Sequence, residues 1–547
     1  MKNNLIVCLL AVVTLVIGCT STNKKEINLV SQINEQVSKS ATAYGGAINL
    51  LEQIPDNSPL MELTIKGPEK DSEGWSILMP TEESRLIYVS DSEGDDSSAG
   101  YYTTAEIMEP TKPTGITAFK TVKAAMTQVR EGYPDWVLLK KGDEWDMATP
   151  IYAVSGQSQQ APFVITTYGE SDERPLIKVQ KVGVLSSGSK SFIAVIGLEF
   201  YAETRDPNAE NFSGWGNVGK AFGFLSLTNG VDDVDSILLE DNVFSYFTNN
   251  IQINGKRESR NIIIRRNQIL NSYSTTSHSQ GIFASQISML VEENLFDHNG
   301  WYSKEDSKGK ATIFNHNLYL TDVSNSFFIN NIISRSSSLG IKFKTKLRNG
   351  YNEANIYDIW VENNLLIGGE VGLSIGGNKD YGDGYRFKNI TVLDNVFLNI
   401  GFEQPTGRTL AWSIDANDWN GGTIAKNYIL YNDNPDVGNV RAIMVKGQSK
   451  NIDIYSNVFF EINQGNKPFI LILDNELKEN IHAFNNLSGL EGYQVNRKDI
   501  HTYMEERGEL GELEVFISAV KQQSKSNWNP DYTADKVNDY LKAQFRK

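Results

Sequence analysis

Three stretches of the chain share one short pattern: Ile237-Leu-Leu-Glu-Asp-Asn242-Val-Phe, Ile262-Ile-Ile-Arg-Arg-Asn267-Gln-Ile-Leu and Met289-Leu-Val-Glu-Glu-Asn294-Leu-Phe. Each combines β-forming residues, one or two polar residues, an asparagine and two or three apolar residues. The pattern continues at Asn331, Asn364, Asn395, Asn427, Asn457 and Asn486. Successive asparagines are 25, 27, 37, 33, 31, 32, 30 and 29 residues apart. This nearly constant period indicates a repeat architecture.

A second type of segment lies between the asparagines and alternates apolar with small or polar residues. Examples are Ile251-Gln-Ile-Asn, Leu318-Tyr-Leu-Thr and Gly340-Ile-Lys-Phe-Lys. Each period therefore holds at least two short strands, too close together for a helix between them. A coil whose turns add strands to parallel sheets satisfies both observations, because each turn pairs with the next around one core. The sequence predicts an all-β fold, a single-stranded right-handed parallel β-helix, with the asparagines stacked inside as a hydrogen-bonded ladder.

The composition limits what the 547-residue chain can bind. It has 51 basic and 67 acidic side chains, for a net charge of −16. A non-specific nucleic-acid binder needs a broad basic face, so we expect no nucleic-acid partner. An anionic ligand must instead be held by a local basic cluster. The only cysteines are Cys8 and Cys19, so we expect no disulfide in the body of the protein.

The first nineteen residues resemble a bacterial lipoprotein signal. Met1-Lys-Asn-Asn precedes an apolar run from Leu5 to Ile17, which is too short to span a bilayer, and Gly18-Cys19 follows. The resemblance implies a signal peptide over 1–19, acylation of Cys19 and a flexible tether over 20–40. We therefore expect a lipid-anchored protein of the cell envelope, in the outer membrane and facing the periplasm or the exterior. An ordinary signal peptide is the alternative.

The segments on either side of the repeat predict how the coil is closed. A strand at Ile87, a short amphipathic helix after Phe119 and a strand at Trp136 predict an N-terminal cap, so the β-helix with its cap extends over 87–490. Helical patterning in 499–523 and 533–545 predicts a helical C-terminal cap over 491–547. Residues 41–86 stay unassigned. We expect a monomer.

The repeat and the N-terminal cap together resemble the right-handed parallel β-helix (pectate-lyase-like) superfamily of carbohydrate-active proteins, over about 87–545. The resemblance implies an acidic polysaccharide or oligosaccharide as partner, although the superfamily also contains non-enzymatic phage and adhesin proteins. The catalytic motifs of polygalacturonases, alginate epimerases and the chondroitinase B group are not found in the sequence. Phe314-Asn-His-Asn-Leu-Tyr319 resembles a segment of uncharacterised secreted β-helix proteins.

Substrates of polysaccharide-binding β-helices lie along one sheet, across its outward residues. Alternation predicts these to be Gln252, Asn254, Phe283, Ser285, Asn317, Tyr319, Thr321, Lys342, Lys344, Ser374, Ser413, Asp415, Met444 and Lys446. Lys342 and Lys344 point to the same side, about 7 Å apart, while Ile341 and Phe343 fill the core. Such a pair would bind a uronate carboxylate, with Arg335 and Arg348 in the flanking turns. A solvated strand with lysines for solubility is an equal alternative.

Elimination at a uronate needs a group that neutralises the carboxylate, a base and an acid. We assign these roles to Lys342, Lys344, Tyr319 and His316, with Asn317 binding the substrate and Trp301 stacking on a sugar ring. The three central histidines, His278, His298 and His316, are 20 and 18 residues apart, which matches no compact ligand motif. We therefore predict no catalytic metal.

Carboxylates provide the competing hypothesis. Asp415, followed by Asn417 and Asp418, would supply an acid for hydrolysis or oxygen ligands for Ca²⁺, the one cofactor left open. The leading prediction is a polysaccharide lyase that cleaves a uronate-containing acidic polysaccharide by β-elimination. A glycoside hydrolase of the same fold and a non-catalytic glycan-binding surface protein are the alternatives.

Overall fold

A computed structural model describes residue 59 and residues 61–545, except 216–218, 257, 304–308, 346–355, 377–386, 464, 466, 474–479 and 489–495. Cys19, the predicted tether and Arg348 lie outside the described residues. The described part belongs to one compact unit, 57–546. None of its helices has the length and apolar character needed to cross a membrane.

Short strands dominate the described residues, because β-branched and aromatic residues alternate with polar ones between tight turns. The first twelve strands are β1 Leu86–Val89, β2 Trp136–Lys140, β3 Glu144–Met147, β4 Ile151–Tyr152, β5 Phe163–Tyr168, β6 Leu176–Val179, β7 Val182–Ser187, β8 Ile193–Ile196, β9 Glu199–Tyr201, β10 Phe222–Leu227, β11 Asp235–Glu240 and β12 Val243–Ser245. The next twelve are β13 Asn249–Asn254, β14 Arg260–Arg265, β15 Gln268–Leu270, β16 Gln280–Ser285, β17 Met289–Glu292, β18 Leu295–Asp297, β19 His316–Thr321, β20 Ser326–Ile329, β21 Ile332–Ser334, β22 Leu339–Lys344, β23 Ile356–Glu362 and β24 Leu365–Ile367. The last eleven are β25 Val371–Ile375, β26 Phe387–Leu393, β27 Val396–Leu398, β28 Leu410–Asn417, β29 Trp419–Ala425, β30 Tyr428–Leu430, β31 Asn439–Lys446, β32 Lys450–Tyr455, β33 Val458–Phe460, β34 Ile470–Ile472 and β35 Ile481–Phe484.

Helices lie near the two ends of the described chain. They are α1 Val122–Met126, α2 Ile500–Glu505, α3 Leu513–Lys521 and α4 Ala534–Ala543, with 3₁₀ turns at Glu203–Arg205 and Pro530–Tyr532. The three C-terminal helices fall within the two segments whose patterning predicts helix.

The strands form three all-parallel sheets, in which each strand pairs with strands about one coil turn before and after it. Sheet I has thirteen strands in the order β1-β2-β5-β8-β11-β14-β17-β20-β23-β26-β29-β32-β35. Sheet II has eleven, β3-β6-β9-β12-β15-β18-β21-β24-β27-β30-β33, and sheet III has eleven, β4-β7-β10-β13-β16-β19-β22-β25-β28-β31-β34. The predicted right-handed parallel β-helix with an asparagine ladder is confirmed.

The asparagine ladder lies inside the corner between sheets I and II. Asn364 donates hydrogen bonds from its backbone nitrogen and from Nδ2, each 2.9 Å long, to Oδ1 of Asn395. The same pair of bonds joins every successive member of the series Asn242, Asn267, Asn294, Asn331, Asn364, Asn395, Asn427, Asn457 and Asn486. The residue before each of them has a positive φ of 49–59°, which turns the chain at this corner.

Two of the three sheets have their outer faces covered by the chain ends. Apolar residues on the outside of sheet I, such as Leu86 and Leu138, pack against Ile65, Ile107 and Ala118. Those on the outside of sheet II pack against helices α2 to α4. Among the described residues, neither chain end forms such a cluster on the outside of sheet III. Sheet III therefore presents the face on which a ligand can lie.

The chain ends differ in how far they match the expected caps. The N-terminal strand, helix and strand are present, and Phe119, Val122 and Ala125 join the core of the first turns. The C-terminal helices lie along the side of sheet II, whereas the sequence predicts an end cap. Their apolar faces explain the difference, since they match the apolar stripe that sheet II presents along most of its length.

The N-terminal segment left unassigned by the sequence is placed in part. The backbone nitrogen of Lys66 donates to Asn261 Oδ1 at 3.0 Å, and that of Ser76 donates to Glu240 Oε1 at 3.1 Å. These bonds hold the segment along the outside of sheet I.

Candidate functional site

One line of side chains crosses the outside of sheet III, with one residue from each turn. Consecutive members are register partners in neighbouring strands, and the line, called here the outer row, is Gln252, Phe283, Tyr319, Lys342, Ser374, Asp415 and Met444. Neighbours lie about one strand spacing, roughly 4.8 Å, apart. Ile341 and Phe343 on either side of Lys342 are fully buried in the core, as the alternation predicts.

Lys342 is the centre of a hydrogen-bonded chain of polar groups. Its Nζ donates to Ser374 Oγ at 3.0 Å and to the carbonyl oxygen of Gly376 at 2.6 Å. Ser374 Oγ donates in turn to Asp415 Oδ2 at 3.0 Å. Asp415 Oδ1 lies 2.8 Å from Lys446 Nζ, within ion-pair distance. The structure thus brings both predicted chemistries, the lysine and the carboxylate, into one network.

The surroundings of Lys342 make its amine unusually acidic. The side chain is partly buried, and this burial lowers its pKa to about 8. The charge of Asp415 opposes the shift, while the charges of Lys446 and Lys344 add to it. A lysine with a pKa near the working pH can exchange a proton during a reaction, which an ordinary surface lysine does poorly.

Tyr319 is the register partner of Lys342 in the preceding turn. It is partly buried, and this burial raises the pKa of its phenol, so the hydroxyl stays protonated at neutral pH. Its ring lies 5.3 Å from the ring of His316 and 5.7 Å from that of Phe283, measured between centroids. The protonated phenol and the amine of lowered pKa therefore lie on neighbouring strands of the outer row.

His316 is enclosed beside this pair, with 4% of its surface exposed. Burial, followed by the charges of Lys342 and Arg408, holds its pKa well below the usual histidine range, so the imidazole is neutral. Its Nδ1 has no hydrogen-bond partner within the described part of the chain. Buried polar atoms without partners are rare in folded proteins.

Arg408 is the main site residue that the sequence does not predict. Its Nε and Nη2 bond to Glu370 Oε2 at 2.8 and 2.6 Å, and Nη2 also bonds to Ser338 Oγ at 2.6 Å. Glu370 is fully buried, and Thr406 donates to both of its oxygens. Both charged residues lie in turns that flank strands of sheet III. That shared position is the only sequence signal for the pair, and no motif accompanies it.

Two residues predicted to face outward face inward instead. Asn317 Nδ2 donates to the carbonyl oxygen of Ser334 at 2.9 Å, and Asn317 Oδ1 accepts from Asn299 Nδ2 at 2.9 Å. Ser413 is also buried. The reason is the sharp corner between sheets II and III, where two consecutive residues, such as Asn317 and Leu318, turn inward before alternation begins. The prediction that Asn317 binds substrate is therefore wrong.

Arg335 and Trp301 also lie elsewhere than predicted. Arg335 bonds to both oxygens of the buried Asp297, at 2.8 and 2.6 Å, and lies 3.4 Å from Glu514 of α3. Trp301 is buried and donates from Nε1 to the carbonyl oxygen of Arg335 at 3.0 Å. Arg335 therefore links sheet II to α3, and Trp301 packs against the backbone of Arg335, so neither has its predicted place in the substrate groove.

Lys344 and Asp415 do lie where the alternation places them. Lys344 is partly buried beside Lys342, and its register partner in the preceding turn is Thr321.

Within the described residues, no group of three or more His, Cys, Asp or Glu is arranged to hold a metal ion. Asp415 is engaged by Lys446 and Ser374, and Asp418 Oδ1 accepts from the backbone nitrogen of Gln448 at 2.9 Å.

Comparisons with known proteins leave the family of the chain open. No family model and no curated protein matches the chain. A mannuronic-acid-specific polysaccharide family 6 lyase from human gut microbiota is 12% identical with a TM-score of 0.39, over 76% of this chain and 96% of that one. The A-module of an Azotobacter vinelandii mannuronan C-5 epimerase is 12% identical with a TM-score of 0.34, over 65% of this chain and 91% of that one. A GH136 lacto-N-biosidase from Eubacterium ramulus is 15% identical with a TM-score of 0.32, over 73% and 67%.

Proposed function

We propose that the protein is a polysaccharide lyase that cleaves a uronate-containing acidic polysaccharide by β-elimination, with the outer row of sheet III as its active site. The observation that carries this proposal is the setting of Lys342. Its two hydrogen bonds, to Ser374 and Gly376, account for both hydrogens of a neutral amine. The lone pair of the neutral amine is then directed away from these two acceptors and is left to accept a proton. A pKa of about 8 makes the neutral amine accessible near neutral pH.

The remaining groups supply the other requirements of the reaction. Lys342 removes the proton α to the uronate carboxyl, a carbon–carbon double bond forms, and the glycosidic carbon–oxygen bond at the β-carbon breaks. Tyr319, protonated and one strand away, gives its proton to the leaving oxygen. Lys344 stabilises the negative charge that builds on the carboxylate. Neutral His316 packs beside Tyr319, with ring centroids 5.3 Å apart, and assists by holding the phenol in place.

A glycoside hydrolase is less well supported by the same face. Hydrolysis needs two carboxyl groups that flank the scissile bond. Every member of the outer row lies in the described residues, and Asp415 is its only carboxylate. Asp415 is bound to Lys446 and Ser374, and the nearby carboxylate of Glu370 is fully buried and bound to Arg408 and Thr406.

An absorbance screen tests the proposal. Purified protein is mixed with alginate, pectin, ulvan and glycosaminoglycans, and near-ultraviolet absorbance is followed, because elimination creates a conjugated unsaturated uronate and hydrolysis does not. We expect a rise with one of these polymers. Release of reducing ends without absorbance would support the hydrolase, and binding without either signal would support a non-catalytic glycan-binding protein.

We also propose that Cys19 carries a lipid that holds the protein at the cell envelope. The support is the apolar run that ends at Gly18-Cys19. Changing Cys19→Ser should release the protein from the membrane fraction or block its processing, because the acyl chains supply the anchor. Unchanged fractionation would contradict the lipid anchor without affecting the proposed catalysis.

A further inference from the structure

Phe314 is exposed in a place where the fold does not require an aromatic ring. Its side chain is 54% exposed, and the neighbouring Ile313 is 46% exposed. The backbone around it is nevertheless fixed. Gln280 Nε2 donates to the carbonyl oxygen of Phe314 at 2.8 Å, and the backbone nitrogen of Phe314 donates to Thr312 Oγ1 at 3.2 Å. A rigidly held exposed apolar group indicates an interaction surface.

The Phe314 ring also has a definite orientation. It stacks on the imidazole of His278 in the preceding turn, with centroids 5.0 Å apart and planes 15° from parallel. Because His278 is exposed and lies close enough to His316 to influence its pKa, the stacked pair adjoins the catalytic groups. The rings therefore form an aromatic strip, which consists of Phe314, His278, His316, Tyr319 and Phe283.

The aromatic strip and the cations occupy different turns. The strip lies in the two turns that contain β16 and β19, whereas Lys342, Lys344 and Lys446 come from later turns. An acidic oligosaccharide has two matching features, carboxylates and the apolar C–H faces of its sugar rings. The arrangement fits a chain whose reacting uronate lies at Lys342 and whose neighbouring sugar extends toward the earlier turns.

We propose that Phe314, supported by His278, is a sugar-stacking subsite that binds the apolar face of another pyranose ring of the oligosaccharide whose reacting uronate lies at Lys342. This inference rests on the proposed function for the position of the uronate. It also adds a specificity rule, since the sugar over Phe314 needs an apolar face free of axial polar groups. Phe314 acts in binding, and the proton transfers belong to Lys342 and Tyr319.

The test measures binding separately from turnover. Hexasaccharides prepared from alginate and from pectin are titrated into the Lys342→Ala protein, with and without Phe314→Ala. We expect Phe314→Ala to weaken hexasaccharide binding about three- to tenfold, the usual range for one aromatic contact, and to leave binding of the monomeric uronates unchanged. Phe314→Trp should restore the affinity. Tyr357→Ala removes a ring that is 42% exposed on sheet I and should change nothing.

The outcomes separate this subsite from the proposed lyase activity. Equal hexasaccharide affinity of Lys342→Ala with and without Phe314→Ala, when the protein with Lys342 intact eliminates, overturns the subsite alone. Phe314-dependent binding, when the protein with Lys342 intact eliminates no polymer, supports the subsite and overturns the lyase. A Lys342→Ala protein with Phe314 intact that binds neither hexasaccharide overturns the subsite as proposed. A thermal melt of each variant confirms that the substitution at this exposed position leaves the fold intact.

Discussion

The asparagine ladder and the outer row of sheet III are both lines of polar side chains that run along the coil with one residue per turn. Inside, the residue is always asparagine, and the same two hydrogen bonds join each member to the next. Outside, the residue changes at every turn, from Tyr319 to Lys342, Ser374 and Asp415. In the ladder, neighbouring asparagines satisfy one another's hydrogen-bonding groups. The outer line contains an amine of lowered pKa, that of Lys342, on the outside of the sheet.

The comparison shows how one backbone repeat supports two different tasks. A ladder of identical, fully paired groups stabilises the coil and has no capacity left for a ligand. The outer row, whose residues differ from turn to turn, adds little to the core. Its residues can therefore be selected for binding or catalysis rather than for stability. Substitutions in the outer row should therefore affect activity, and substitutions in the ladder should affect stability.

The largest expected effect is the loss of activity in Lys342→Ala. Because Lys342 is the proposed base, turnover should fall by about 10²–10⁴, measured as the rate of unsaturated product formation. The fold should persist, because Lys342 lies outside the core. Lys388→Ala is the matched control, since Lys388 is a strand lysine exposed on the outside of sheet I. Equal activity of both variants would mean that the outer row is only a solvated face.

The second-largest effect is expected for Asn395→Leu, which tests the asparagine ladder. The variant removes the Oδ1 acceptor for Asn364 and the Nδ2 donor to Asn427 while both neighbours stay buried. The free energy of unfolding should fall by about 1–3 kcal/mol in chemical denaturation, and the activity of the folded fraction should persist. A neutral result would contradict the ladder as a source of stability.

The pH dependence of stability gives a smaller effect at Lys342. Its folded pKa of about 8 lies below its ordinary value of 10.5, so between these values the native state binds fewer protons than the unfolded state. The free energy of unfolding therefore rises with pH across this window, and the cost of the buried charge is fully present below pH 8. In Lys342→Met this rise should be smaller by roughly 1–2 kcal/mol. Identical pH profiles for parent and variant would place Lys342 in solvent.

The smallest expected effect is a shift in the pH range over which kcat/KM increases. If Lys342 is the base, kcat/KM should increase through a pKa of about 8 as the amine becomes neutral. The negative charge of Asp415 raises the pKa of Lys342. Asp415→Asn removes this charge and should therefore move the increase in kcat/KM to lower pH. Activity that instead decreases above pH 8 would make Lys342 a carboxylate-binding cation and assign the base to another group.

The sequence predicts the ladder and the lysine strand because both depend on simple periods. The asparagine period fixes the turns, and strict alternation places Lys342 and Lys344 outside. Prediction fails at the corner before Asn317, because alternation gives no sign that two consecutive residues turn inward. It fails for Arg335 because nothing in the local sequence shows that the C-terminal helices cover that side of the coil. Arg408 was missed because its partner Glu370 is 38 residues away in another turn.

The uniform bonding of the ladder has an evolutionary consequence. A gene duplication or deletion that adds or removes one whole turn preserves every ladder contact, because any asparagine in the series can pair with any other. Such an event lengthens or shortens the outer row by a single position and leaves the remaining positions in register. The lineage of this protein can therefore adjust the length of the outer face of sheet III by changing the number of turns, without passing through an unfolded ancestor.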